Sequence, residues 1–371
     1  MDGFRWDYPD KANTPNLDYI AENGVRANLQ PSFPSKTFPN HYTMATGLYP
    51  DHHGIVANEF WDDSLQLFYR IPDRKSVKNP VFYNGEPIWN TAEKQGVSSA
   101  TLFWVGSETA IQGMHPSFWK NYQHKMPFED RIDTVIAWLR LPEQKRPHLI
   151  MWYIHEPDGV GHKYGPESQQ TIKKVEYLDS LIGVFLTKLK TSGLAGNVNL
   201  IFTSDHGMCT ISTNRVLYIE DLIDTADIKL ITGANPVYNI KVKQGKLEKV
   251  YKDLQTAHIK CWKKNEVPER LHYGKNIRDL DLILVADSGW TITKKNSTAD
   301  YSGGTHGYDN ANKDMYAIFY AMGPVFKKGY KQADFPNIDL YPLLAEILKI
   351  KPAKTDGDLE DVKNMLLNGR Q

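Results

Sequence analysis

Apolar residues along the chain fall into two kinds of segment. Short unbroken runs, "SSATLFWV", "HLIMWYI", "NVNLIFTS" and "MYAIFYAMG", have the length and composition of strands buried on both faces. Between them lie stretches with helical spacing: "EPIWNTAEKQG", "EDRIDTVIAWLR", "SQQTIKKVEYLDSLIGVFLTKLK" and, near the end, "IDLYPLLAEILKI". The clearest helix is "TPNLDYIAENG", where Thr14 can cap, Pro15 suits the first turn, Leu17 and Ile20 share a face, and Gly24 stops it.

Strands alternating with helices of this length predict an α/β fold: a mostly parallel sheet with right-handed crossovers and helices on both faces. No linker divides the 371 residues, so they are expected to form one domain. The stretch from about 235 to 300 has a different texture, and we expect a small mixed or antiparallel lobe there. Asp51 to Asn84 is loop-rich and is expected to cover one end of the sheet. The opening "MDGFRWDYPD" reads as the far end of a buried strand that presents Asp2, so the first strand of the sheet is expected to be truncated.

Composition narrows the function. Lys+Arg and Asp+Glu both number 44, which argues against a dedicated nucleic-acid surface. No apolar run approaches the ~18 residues of a membrane span. The two cysteines, Cys209 and Cys261, form no C-x-x-C pattern, and the sequence leaves open whether they pair.

Ligands of open α/β sheets bind beyond the carboxyl ends of the strands. Three apolar runs or loops carry metal-ligand residue types there. "HLIMWYIHEPDGVGH" leads to Asp158 and His162; Pro157, Gly159 and Gly161 favour a loop over a helical turn. "NVNLIFTSDHGM" delivers Asp205 and His206, and the glycine-rich "YSGGTHGYDN" presents His306. With Asp2 these make enough Asp and His ligands for two metals, each with an open position. Two such ions can clamp the attacking and leaving oxygens of an in-line phosphoryl transfer. Thr37 opens a helix in "PSKTFPNHYTMATG" and would be the nucleophile, its phosphate drawn by the helix amides.

The segments "DGFR", "PSKTFPNHYTMATGLYPDHHGIVAN", "EPDGVGHKYGP", "SDHGM" and "THGYDN", in this order, resemble the motifs of the nucleotide pyrophosphatase/phosphodiesterase family of the alkaline phosphatase superfamily. The resemblance runs along nearly the whole chain and implies an alkaline-phosphatase-like core with two Zn²⁺. It implies that Asp158, His162 and His306 hold one ion and Asp2, Asp205 and His206 the other, with Thr37 bridging the metals or nearby as nucleophile. Asn58 matches the asparagine that contacts a phosphate oxygen, and Phe38 and Tyr153 match aromatic positions lining the leaving-group or nucleobase slot. The implied partner is a small nucleotide or other phosphodiester, and the implied location is periplasmic or extracellular. Other divalent ions, Mn²⁺ or Fe²⁺, suit the same donors.

Related chemistries differ at identifiable residues. Position 37 is threonine in "KTFPNH", where a sulfatase carries Cys or Ser before x-Pro-x-Arg. No arginine lies between Arg26 and Arg70 to grip a monoester dianion, which favours diesters. A choline-phosphate phosphodiesterase is the alternative, since "NEFWDD" offers Phe60, Trp61, Asp62 and Asp63 as a cation cage near Asn58. A family-fold protein that binds without catalysis is the third reading; it would lack a ligand or the nucleophile, and this sequence has all of them.

Overall fold

A computed structural model describes residues 1–367. Its core strands are β1 (Val25–Gln30), β2 (Ser99–Leu102), β3 (Phe118–Lys120), β4 (Leu149–Trp152) and β5 (Leu200–Thr203), joined near the end of the chain by β10 (Ala317–Met322). The lobe contributes β6 (Ile228–Ala234), β7 (Val237–Val242), β8 (Ile259–Lys263) and β9 (Leu282–Ala286). The principal helices are α1 (Pro15–Asn23), α2 (Thr37–Thr46), α3 (Ile88–Lys94), α4 (Phe128–Leu139), α5 (Asp158–Tyr164), α6 (Gln169–Thr191) and α7 (Leu340–Leu348).

The fold is α/β, as the alternation predicts. β2 pairs parallel with β3 and β4, with Thr101 opposite Met151. In the other half β10 lies between β1 and β5 and runs antiparallel to both, with Phe319 opposite Ala27 and Thr203. An apolar run carries no sign of direction, so this antiparallel strand was not legible from pattern.

β10 shows why the sheet needs helices on both faces. Ala317, Phe319 and Ala321 enter a core shared with Met44, Trp89 and Leu343 of α2, α3 and α7. Ile318 and Tyr320 enter another, shared with Leu17, Ile132 and Leu178 of α1, α4 and α6. α6 buries Val175, Leu178, Ile182, Phe185 and Leu189, a stripe of helical period. Each such side chain contributes about 1.5–3 kcal/mol of burial. Ser168 caps this helix by accepting the Thr171 N–H.

The lobe is a four-stranded antiparallel sheet in the order β6-β7-β9-β8, with its own core around Ile240, Leu282 and Leu284. Within 51–84 the chain forms a hairpin, Glu59–Asp62 against Leu67–Arg70, among short turns. Cys209 and Cys261 are both free and buried. No helix among the described residues is long and apolar enough to cross a membrane.

The two halves of the sheet do not join. β4 ends one sheet and β5 the other. At their carboxyl ends only residues 1 and 2 lie between them: the Met1 ammonium donates to the Thr203 carbonyl at 2.7 Å and the Asp2 N–H to that of Ile154 at 2.9 Å.

Candidate active site

Asp2 follows from this position. It forms a parallel bridge with Pro157 and its side chain is 3% exposed. Gly3 turns the chain with φ +65°, and a Cβ there would meet the Asp158 Cα at 2.9 Å. An Asp-Gly pair is therefore required if Asp2 and Asp158 are to approach one another.

The loop expected at Asp158 and His162 is a helix, α5, and the expectation is corrected on that point. Pro157 precedes its first turn, and the Glu156 carboxylate accepts the Val160 N–H at 3.3 Å. The close backbone approach here belongs to the glycine-rich loop that packs on α5: a Cβ on Gly304 would lie 2.7 Å from the Gly161 carbonyl. Asp158 and His162 thus face the site from one turn, Oδ1 to Nε2 3.4 Å.

The three histidines share one arrangement. Nδ1 of His162 faces the Gly304 carbonyl at 2.8 Å, that of His306 the Ser35 carbonyl at 2.8 Å, and that of His206 the Gly207 carbonyl at 2.9 Å. A carbonyl only accepts, so each Nδ1 donates and each Nε2 turns a lone pair inward. His306 Nε2 lies 3.6 Å from Asp158 Oδ1, and His206 Nε2 lies 3.4 Å from Asp2 Oδ1 and 3.0 Å from Asp205 Oδ2. The His206 and His306 rings stack at 3.5 Å.

Donor atoms of Asp158, His162 and His306 all lie within 4.8 Å of one another, and so do those of Asp2, Asp158 and His206. Asp158 therefore belongs to both halves of the cluster, while Asp205 joins it through His206. Asp2 Oδ1, Asp158 Oδ1 and Asp205 Oδ2 are buried with no hydrogen-bond donor. Burial, with the charges of Asp205 and Asp158, holds the Asp2 carboxyl well above its usual range. Burial also opposes ionisation of Asp205, but His206 and His41 outweigh it and hold that carboxyl well below. Burial and the neighbouring cations keep His306 neutral. Orphaned carboxylate oxygens facing inward imidazole lone pairs fit divalent cations.

Thr37 is the first residue of α2, 9% exposed, with Oγ1 3.2 Å from His206 Nε2. The Phe38 N–H beside it donates to Asn58 Oδ1 at 3.0 Å. Among the described residues the Asn58 Nδ2 donates to no protein group, so it is free for an incoming oxygen. Phe38 is half-buried with its ring 6.2 Å from Tyr69. The Tyr153 hydroxyl donates to Asp2 Oδ2 and its ring meets His41 edge-on.

Three neighbours escaped the sequence reading. His41, one turn after Thr37, places Nδ1 3.0 Å from the Thr37 carbonyl and 3.2 Å from Asp205 Oδ2. Its four-residue spacing from Thr37 was the available signal. Tyr122 lies beside Tyr153, ring centroids 6.1 Å apart. Lys36 Nζ reaches the Asn235 carbonyl of the lobe at 2.6 Å, and burial pushes its pKa down to about 7. No local signal marks either of these.

The cage residues are committed elsewhere. Phe60 stacks on Tyr69, Asp62 pairs with Arg278 at 2.7 Å, and Asp63 pairs with Lys241.

A helix-flanked mixed sheet with this cluster at its strand ends has an alkaline-phosphatase-like fold, as the solved structures confirm. Human ectonucleotide pyrophosphatase/phosphodiesterase 5 superposes with a TM-score of 0.94 at 35% identity, covering 99% of this chain and 98% of that one. The murine counterpart, an inactive threonine-to-alanine variant in complex with AMP, also gives 0.94, at 36% identity with the same coverage. Residues 1–309 match the family described as type I phosphodiesterase / nucleotide pyrophosphatase, and the chain belongs to that family. A venom phosphodiesterase of Crotalus durissus collilineatus is 38% identical over 99% of this chain and 46% of its own length. Ectonucleotide pyrophosphatase/phosphodiesterase family member 1 of Homo sapiens is 36% identical over 99% of this chain and 41% of its own. The chain thus spans less than half the length of these two relatives.

Proposed function

We propose that this chain hydrolyses phosphodiester or phosphoanhydride bonds of nucleotides, with Thr37 as nucleophile beside two zinc ions. The observation that carries the reading is the convergence of three inward Nε2 atoms, three donorless carboxylate oxygens and the Thr37 hydroxyl at the start of α2. Asp158, His162 and His306 would hold one ion; Asp2, Asp205 and His206, with Asp158 adjacent, would hold the other.

When bound, the ions supply Lewis acidity, easing loss of the Thr37 proton and offsetting charge on the phosphoryl oxygens. Asn58 Nδ2 donates to a non-bridging oxygen while its Oδ1 holds the Phe38 N–H. Thr37 Oγ1 attacks phosphorus in line; the new O–P bond forms as the bond to the leaving oxygen breaks, which departs with the bonding pair. Water then cleaves phospho-Thr37, returning the hydroxyl and releasing the phosphate ester. An uncharged amide suits the single charge of a diester.

Nucleotide substrates are supported by the relatives' names and by the AMP complex of murine phosphodiesterase 5. The choline alternative is weakened because Asp62 and Asp63 already have cationic partners. An extracytoplasmic location is supported by relatives described as venom and ecto-enzymes.

The test is hydrolysis of p-nitrophenyl thymidine monophosphate, p-nitrophenyl phosphate and p-nitrophenyl phosphorylcholine, each with and without chelator. The first is expected to dominate and to stop with chelator; activity that survives chelation removes the metal reading. Thr37→Ala is expected to bind nucleotide and lose turnover by a factor of 10³ or more, on the order seen when a nucleophile is removed. A variant that retained most of its kcat would refute the covalent scheme.

A further inference from the structure

α2 begins without a side-chain cap, since Lys36 stands at its N-cap and bonds none of the first amides. The turn is held from inside by Asn40, the fourth residue of the helix and fully buried. Asparagine is a poor interior helix former, because its amide competes for nearby backbone groups. Here the competition holds the loop in front of the helix. Asn40 Nδ2 donates to the Pro34 carbonyl at 3.0 Å and to the Lys36 carbonyl at 2.8 Å. Its Oδ1 accepts the Ser32 N–H at 2.7 Å and Asn337 Nδ2 at 2.8 Å. An amide side chain has two protons and two lone pairs to offer, so Asn40 is saturated.

Asn337 closes a ring. It stands on the short turn before α7, is also fully buried, and its Oδ1 accepts the Ser32 hydroxyl at 2.8 Å. Ser32, Asn40 and Asn337 are thus joined pairwise, and any bond lost would leave a buried polar group without a partner. What the ring fixes is Ser35, flanked by the two carbonyls that Asn40 Nδ2 binds. The Ser35 carbonyl accepts from His306 Nδ1 at 2.8 Å, and its hydroxyl donates to the Tyr308 carbonyl at 2.7 Å. Lys36 leads directly into Thr37, whose Oγ1 lies 3.2 Å from His206 Nε2. One buried amide therefore governs both the carbonyl that orients His306 and the start of the helix that presents Thr37.

We propose that Asn40, anchored by Asn337, is a positioning residue that sets His306 and Thr37 relative to one another. Its own bonds go to none of the ligand residues, so it acts through Ser35 and Lys36. The inference deepens the two-metal, threonine-nucleophile reading and rests on it. A carbonyl that holds the far nitrogen of a metal-binding histidine fixes its tautomer and ring direction, and disturbing such a partner costs about 10- to 100-fold in affinity or activity. A nucleophile displaced by a fraction of its reach loses rate and not substrate binding.

The experiment strips the full chain with chelator and titrates zinc against a chromophoric competitor, with His306→Ala identifying the binding step to which His306 belongs. Asn40→Asp keeps the shape and both acceptor bonds but cannot donate to the Pro34 and Lys36 carbonyls. Asn337→Ala removes the anchor and leaves Asn40 in place; should Asn40→Asp fail to fold, Asn337→Ala decides alone. Each variant is expected to weaken the His306 step roughly tenfold, with the other step within about twofold. At saturating zinc, kcat for p-nitrophenyl thymidine monophosphate should fall roughly tenfold or more while KM stays within about threefold. The control is Asn90→Ala, an equally buried amide that donates to the Ile111 carbonyl at 2.8 Å. It should lower the unfolding midpoint and leave both zinc steps and kcat unchanged. The proposal is overturned by no change in the variants, by a change in only one of the two readouts, by equal weakening of both zinc steps, or by an Asn90→Ala protein that reproduces the pattern. A wild-type chain that takes up no zinc removes the metal reading and this inference with it; two wild-type steps that the variants leave unchanged remove the inference alone.

Discussion

Tyr153→Phe tests how the second of the two proposed metal positions would be held. The change removes one buried hydroxyl and no packing volume. That hydroxyl is the donor to Asp2 Oδ2, and Asp2 Oδ1 has none. With a cation bound, Asp2 is a carboxylate and the phenol is a hydrogen bond to a charged group, contributing about 1.5–3 kcal/mol. Without a cation, burial beside Asp205 and Asp158 drives Asp2 toward its protonated form. The same contact then contributes about 1 kcal/mol. The difference, roughly 0.5–2 kcal/mol, corresponds to a loss of metal affinity of about 2- to 30-fold. The assay strips the protein with chelator and titrates zinc against a chromophoric competitor, with thermal unfolding as the control for folding. One of two binding steps is expected to weaken by that factor while the other stays within twofold. Two unchanged steps, or two equally weakened ones, would refute the assignment of Asp2 and its donor to a single metal position.

Two other substitutions probe different parts of the molecule. Asn58→Asp keeps an acceptor for the Phe38 N–H but replaces the free amide with a carboxylate oxygen; kcat/KM for a nucleotide diester should fall by roughly 10²–10³, and a loss under threefold would remove Asn58 from phosphate contact. Asp339, buried with Oδ2 unpaired and near Asp361 and Asp358, has its pKa pushed up to about 7. The folded state therefore holds a proton that the unfolded chain releases near pH 4, so stability falls as pH rises from about 4 to 7. Asp339→Asn should gain nothing below pH 4, gain progressively up to pH 7 and gain a constant amount above; unfolding midpoints at pH 4, 6 and 8 that shift equally would contradict it.

The sequence was legible where one physical constraint dominates. Runs such as "NVNLIFTS" must be buried on both faces, so the strands and their helical spacers could be read. The Asp and His residues that the structure clusters, Asp2, Asp158, His162, His206 and His306, could be singled out because strand ends concentrate chemistry. Direction could not: nothing in "MYAIFYAMG" distinguishes an antiparallel β10 from a parallel one. α5 was misread because Gly159 and Gly161 lower helix propensity by about 1 kcal/mol each relative to alanine, while the loop that packs on this helix through Gly303 and Gly304 comes from far along the chain. Tyr153 shows the same limit on a single side chain. Nothing near it in the sequence shows that its hydroxyl goes to Asp2, 151 residues earlier.

Lys36 gives the lobe a part in what can be exchanged among relatives. Its ammonium, next to Thr37, is satisfied by the carbonyl of Asn235 in the turn between β6 and β7. A graft that replaced 228–286 with another lobe would have to bring a carbonyl to that spot. Without one, a buried amine with its pKa already near 7 would shed its proton or drag the first turn of α2 toward solvent. Lobe and first turn of α2 are therefore structurally coupled, although nearly 200 residues separate them in the chain.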